Sequence, residues 1–220
     1  MTTTIYNEDC FETMRRMSDQ SVDMILTDPP YFLPATHYQT RKQFSRNFSD
    51  LGILEHFFRD VFKEFQRIIK PTGVIYMFCD GQSYPLFYYH LFPYCKSVRP
   101  LVWDKKTSIN GYSWRHQHEL IIFAEMPQAP KQPTGDGDII RMSAVKVNER
   151  EHPAQKPVEL LKQLIMKNTK ENDVVYDPFA GSGSTIIATM ECGRNGIGTE
   201  YGKEYYETME KRIEKQKTNK

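Results

Sequence analysis

Asp173-Val174-Val175-Tyr176-Asp177-Pro178-Phe179-Ala180-Gly181-Ser182-Gly183-Ser184-Thr185-Ile186-Ile187-Ala188-Thr189-Met190 reads as a short apolar strand, a glycine-bearing loop and an apolar helix. That succession makes a nucleotide-type cradle, because glycines let a ligand approach the backbone closely and a helix N-terminus presents unpaired N–H groups. The dinucleotide fingerprint G-x-G-x-x-G is incomplete. Gly181 and Gly183 are present but Ile186 holds the third glycine position, which disfavours a pyrophosphate cofactor. Downstream, Gly196-Ile197-Gly198-Thr199 reads as the next strand, and Glu200 follows it at about the distance from which an acidic residue reaches ribose hydroxyls. An ordinary surface glutamate is the plainer reading of Glu200, and the spacing favours the first.

Outward from this unit the chain alternates strand and helix. Residues 4–6 predict a strand, 10–17 a helix and 22–27 a buried strand. Residues 55–70 predict the clearest helix, with Phe58, Val61, Phe62, Phe65, Ile68 and Ile69 on one face and Pro71 and Gly73 beyond its end. Further strands are predicted at 74–78, 101–103 and 120–124, a helix from Pro157 to about Lys167, and a charged amphipathic helix over 203–217. Such alternation implies an α/β domain with a mostly parallel twisted sheet covered by helices on both faces.

The strand at 22–27 runs into Asp28-Pro29-Pro30-Tyr31. At a strand's carboxyl end this tetrapeptide can hold an exocyclic amine of a nucleobase, a poor nucleophile whose two N–H bonds lie in the ring plane. The Asp28 carboxylate and Pro29 carbonyl supply two acceptors, the prolines stiffen the turn and remove competing donors, and Tyr31 offers a flat face to an extruded base. A Pro-rich turn after a buried strand is the bland alternative; Asp before the prolines and an aromatic after them favour chemistry.

These two motifs, in this order, resemble the beta group of DNA amino-methyltransferases that use S-adenosylmethionine, in which the catalytic motif precedes the cofactor motif. The resemblance covers nearly the whole 220-residue chain. Asn7-Glu8-Asp9-Cys10 looks like the family's adenine-contacting segment, with Glu8 where glycine is usual. His152-Pro153-Ala154-Gln155-Lys156-Pro157 is similar to its segment at the methionine end of the cofactor, and Trp103-Asp104-Lys105 and His118-Glu119 match patterns on the base-binding side. The resemblance implies a Rossmann-like class I methyltransferase fold and a single catalytic domain, with a lid or DNA-contact loop at 32–50 and a short target-recognition insertion at 126–151. It implies catalysis by Asp28, Pro29, Pro30 and Tyr31. Cofactor binding then falls to Asp9, Cys10, Asp28, Lys156, Asp177, Phe179, Ala180, Gly181, Ser182, Gly183, Ser184, Thr185, Glu200 and Tyr201. Asp before Pro-Pro-Tyr usually accompanies adenine N6 in the family, and Ser cytosine N4, although both bases present an amine to the same acceptors. Methylation of RNA or of a protein amide, and a catalytically silent DNA-binding subunit, are the alternatives. A homodimer and a cognate restriction endonuclease are the partners the family adds to DNA.

A formal net charge of +1 announces no nucleic-acid partner, so DNA contact must come from local patches. Arg41, Lys42 and Arg46 stand among Tyr38, Phe44 and Phe48 just after the tetrapeptide, and Lys105, Lys106 and Arg115 flank the second tryptophan-bearing stretch. Solvated surface charge or a mobile lid would explain the same residues. His116 and His118 lack a third ligand at useful spacing, so no metal is expected. Cysteines at 10, 79, 95 and 192 form no C-x-x-C pair, which suggests reduced thiols. With neither an apolar leader nor a membrane-length run, a cytoplasmic protein is expected.

Overall fold

The computed structural model describes residues 1–30, 50–107, 114–132, 135–149 and 155–218. Strands β1 (Thr3–Tyr6), β2 (Val22–Thr27), β3 (Ile69–Cys79), β4 (Ser97–Asp104), β5 (His118–Glu125), β6 (Ile139–Arg141), β7 (Val174–Asp177) and β8 (Asn195–Thr199) form one sheet. Its order is β1-β8-β7-β2-β3-β5-β4-β6. Every adjacent pair is parallel except β3 with β5 and β5 with β4, so β5 alone runs backwards. The helices are α1 (Cys10–Arg16), α2 (Leu51–Ile68), α3 (Tyr84–Leu91), α4 (Val158–Asn168), α5 (Ser184–Glu191) and α6 (Lys203–Thr218).

The central strands are apolar on both sides because both sides are covered. Along β3, Ile75, Met77 and Cys79 join the core beneath α1, α2 and α3, while Val74, Tyr76 and Phe78 join the core beneath α4 and α5. Strand β2 divides in the same way, Val22 and Ile25 to one core and Met24 and Leu26 to the other. Helix α2 buries the predicted stripe of Phe58, Val61, Phe62, Phe65 and Ile68. At roughly 1.5–3 kcal/mol for each large side chain taken from water, this face does most to fix the helix on the sheet. The helix starts earlier than its stripe suggests, where the Asp50 carboxylate accepts the Ile53 N–H at 3.0 Å. It also ends two residues earlier than predicted: Ile69 already pairs with Val22, and the strand absorbs Pro71 and Gly73 through a register shift before Met24 meets Val74.

Two elements escape the sequence pattern: α3, and β6, which lies inside the segment expected to read the target and adds an edge strand to β4. Topology places the site. From β2 the chain moves to β3 and outward, then returns with β7 on the other flank of β2. The crevice between the carboxyl ends of β2 and β7 is therefore the switch point at which open α/β sheets bind ligands.

Candidate active site

Both motifs converge on that crevice. Asp28 follows β2, Asp177 ends β7, and the Thr27 hydroxyl donates to the Asp177 carboxylate at 2.7 Å across a separation of 150 residues. Asp177 also accepts the Phe179 N–H at 3.1 Å, which folds the start of the glycine loop back over the strand end. Burial pushes the Asp177 carboxyl up to about 6, against hydrogen bonds from Thr185, Thr27 and the Phe179 backbone, with the nearby Asp28 charge adding to the rise.

A cleft, open at its mouth, lies above these residues. Its walls are the loop residues Phe179, Ala180, Gly181, Ser182, Ser184 and Thr185 together with Asp28, Asp177 and Lys156, all expected from the sequence. Phe78, Gln155 and Leu161 complete it and were not among the expected site residues. An apolar residue at the carboxyl end of a strand beside the switch point was the available signal for Phe78.

The loop is held from behind by α6. Gly183 caps α5 in the left-handed region at φ +83°, and a Cβ there would stand 2.5 Å from Met209 Cγ. Arg212 Nη1 donates to the Ser182 carbonyl at 2.6 Å and approaches the Ser182 and Ser184 hydroxyls at 3.1 and 3.3 Å. Glu200 is buried and not a surface glutamate: its carboxylate accepts the Gly181 N–H at 2.8 Å and the Gly202 N–H at 2.7 Å. Asn7 donates to the Glu200 carbonyl at 2.9 Å, so the loop after β1 lies against the loop after β8. Asp9 caps α1 through the Phe11 N–H at 2.9 Å, Cys10 is buried in the core, and Tyr201 is exposed. Asp9, Cys10, Glu200 and Tyr201 thus lie outside the walls of the cleft.

On the opposite wall stands a row of alternating charges. Lys156, almost wholly buried, donates to Asp28 Oδ2 and lies 3.4 Å from Glu119 Oε2, with its ammonium 5.0 Å from the centre of the Phe78 ring. Glu119 accepts from Lys105 at 2.9 Å. Burial works to discharge Lys156, and the two carboxylates outweigh it, so its pKa lies above the ordinary value. For Glu119 burial is likewise overcome by Lys156 and Lys105, and its pKa falls. Glu119 reaches the site because β5 is reversed: Leu120 pairs with Cys79, which brings the start of β5 to the carboxyl ends of β2 and β3.

Lys105, expected to face phosphates, is 13% exposed, paired with Glu119 and placed over the Trp103 ring at 5.1 Å. Lys106 and Arg115 are exposed on the same edge, beside Trp114 at 90% exposure. Tyr31, Arg41, Lys42, Arg46 and His152 lie outside the described residues.

This arrangement can be set beside known proteins. The sequence is 31% identical to the methylase named YubD of Escherichia coli (strain K12), over 93% of this chain and 87% of that one. It is 28% identical to the type II methyltransferase M.HpaI of Haemophilus parainfluenzae, over 92% and 71% of the two chains. The fold matches that of the M1.HpyAVI–SAM complex with a TM-score of 0.73 at 24% identity, over 96% of this chain and 99% of that one. It matches the cytosine-N4-specific PvuII DNA methyltransferase at 0.77 and 16% identity, over 99% and 91%. The profile of the DNA methylase family covers residues 22–211, a span that takes in both motifs and the row of charges between them, and the chain belongs to that family.

Proposed function

We propose that this DNA methyltransferase moves a methyl group from S-adenosylmethionine to N6 of an adenine turned out of the duplex. The observation that carries the proposal is the adjacency of Asp28 and the glycine loop across the β2–β7 crevice, tied by the Thr27–Asp177 hydrogen bond. The cradle suits this cofactor better than a dinucleotide, since Ile186 fills the third glycine position of the dinucleotide fingerprint. When bound, S-adenosylmethionine supplies an electrophilic methyl group on a sulfonium. Asp28 and the Pro29 carbonyl accept the two hydrogens of the target amine and turn its lone pair toward that methyl. The carboxylate also offsets the positive charge that grows on nitrogen, so positioning and electrostatics carry the rate. Trp114, Lys106 and Arg115, exposed on the edge where the site opens, provide stacking area and phosphate contacts for DNA.

Tyr31 as the stacking partner of the base, 32–50 as a DNA-contact loop and 126–151 as the target reader belong to the same proposal. So do a homodimer, a cognate endonuclease and a cytoplasmic site of action; the type II name of the M.HpaI relative supports the endonuclease. Sedimentation of the protein, alone and on DNA, tests the dimer. The chemistry is tested by mass spectrometry of nucleosides after incubation of unmethylated mixed-sequence DNA, or RNA, with isotopically labelled S-adenosylmethionine. Labelled N6-methyladenine in DNA is expected. N4-methylcytosine would overturn the base, and label confined to RNA would overturn the substrate.

A further inference from the structure

In the reading above, Asp28 must accept a hydrogen from the target amine, yet Lys156 already donates to its Oδ2. On the other side of Lys156 lies Glu119, whose Oε2 is buried and has no hydrogen-bond partner among the described residues. The Lys156 ammonium stands 3.4 Å from that oxygen, longer than a good charge-assisted hydrogen bond. One cation thus sits between two carboxylates, bonded to the first and facing a vacant acceptor on the second.

A fixed Lys156–Asp28 pair would not need Glu119, and burying a further charge is costly unless it has a task. We propose that Lys156 is a placeholder for the target amine: it holds Asp28 until the base arrives, then moves onto Glu119, which makes Glu119 a positioning residue acting through Lys156. The movement is small, since closing the gap to about 2.8 Å completes a charge-assisted hydrogen bond. At no point is the buried ammonium left without a carboxylate. Lys105 fixes the arrival site by holding Glu119 Oε1 at 2.9 Å, and the Phe78 ring lies under the ammonium. The exchange also keeps Asp28 oriented in the absence of DNA, so the acceptor is ready when the amine displaces the lysine.

The inference rests on Asp28 being the acceptor of the amine, and the test separates the two. Glu119→Gln, Lys156→Met, their double variant and Lys156→Arg are compared with the wild type. The readouts are single-turnover methylation of unmethylated mixed-sequence DNA and calorimetric binding of S-adenosylmethionine alone. Glu119→Gln should methylate at least tenfold more slowly, because the ammonium then loses the second carboxylate onto which it would move, while its cofactor affinity stays within threefold of wild type. Adding Lys156→Met should recover threefold or more of the lost rate, which a structural role for Glu119 would not allow. Lys156→Arg supplies a second arm should Glu119→Gln fold poorly: its planar fork spans both carboxylates and does not yield, so it should be at least tenfold slower than Lys156→Met. A Glu119→Gln rate equal to wild type, an undiminished loss in the double variant, or equal rates for Lys156→Arg and Lys156→Met would each overturn the exchange. A wild-type protein that labels no DNA would overturn the functional reading with it.

Discussion

Gly183→Ala should loosen the cradle by an amount that the geometry sets. The residue occupies φ +83°, and the new methyl would lie 2.5 Å from Met209 Cγ, 3.1 Å from its Cβ and 3.2 Å from its Sδ. Holding alanine in the left-handed region costs about 1 kcal/mol. Met209 is fully buried between α5 and α6 and cannot swing into solvent, so relieving the overlap adds about 1–3 kcal/mol of overpacking. The sum, about 2–4 kcal/mol, corresponds to a fall in melting temperature on the order of 5–15 °C for a chain of this length. A double-mutant cycle with Met209→Ala isolates the contact: the two costs should be less than additive by about 1–3 kcal/mol, the overlap having been removed once. Thermal and denaturant unfolding supply both numbers. A Gly183→Ala protein that melts within about 1 °C of wild type, or a strictly additive cycle, would refute the argument that α6 braces the loop through this contact.

Asp28→Ala should lower methyl transfer by roughly 10²–10³-fold while S-adenosylmethionine affinity changes little, as calorimetry beside a turnover assay would show; full turnover would remove Asp28 from the chemistry. Asp177, raised to about 6 by burial from an ordinary 3.8, binds a proton more readily in the folded than in the unfolded chain. Its contribution is therefore most favourable below about pH 4 and declines as pH rises through 6, by about 3 kcal/mol in full and roughly half of that between pH 5 and 8. Asp177→Asn should gain stability relative to wild type over that window, and a gap in melting temperature that is the same at both pH values would contradict it. Arg212→Met keeps the aliphatic stem and removes the donors to Ser182 and Ser184, so cofactor affinity should weaken by about tenfold with a small change in melting temperature; unchanged affinity would detach α6 from the site.

What the sequence made legible were the parts whose chemistry is local. Strands β2 and β7 are short apolar runs ended by Asp-Pro turns, and the loop of Gly181 and Gly183 announces itself by composition. Helix α3 was hidden because Tyr84-Pro85-Leu86-Phe87-Tyr88-Tyr89-His90-Leu91 is aromatic on every side: only Phe87 and Leu91 are buried, while Tyr89 is 73% exposed. Strand β6 has three residues in a segment rich in proline and glycine and exists through its pairing with β4, a non-local cause. The same reason conceals the row of charges. Nothing near Glu119 in sequence says that the reversal of β5 will carry it to Lys156, and Lys105 looks like any surface lysine until Trp103 and Glu119 enclose it.

The bond between Thr27 and Asp177 joins residues that meet only in space, and the chemistry requires their adjacency, whatever their order along the chain. At the far edge of the sheet the Thr2 N–H donates to Asn195 at 2.7 Å, and Gln216 of α6 donates to Glu191 at 2.9 Å, four positions from Asn195. Thr2 and Gln216 therefore both lie at the end of the sheet remote from the cleft. A circular permutant that joins them by a flexible linker and opens the backbone before α4 would read the glycine loop first and Asp-Pro-Pro last. It would keep all the strand pairs and both sides of the crevice, so the succession of motifs is a property of where the chain is cut, and the site belongs to the sheet.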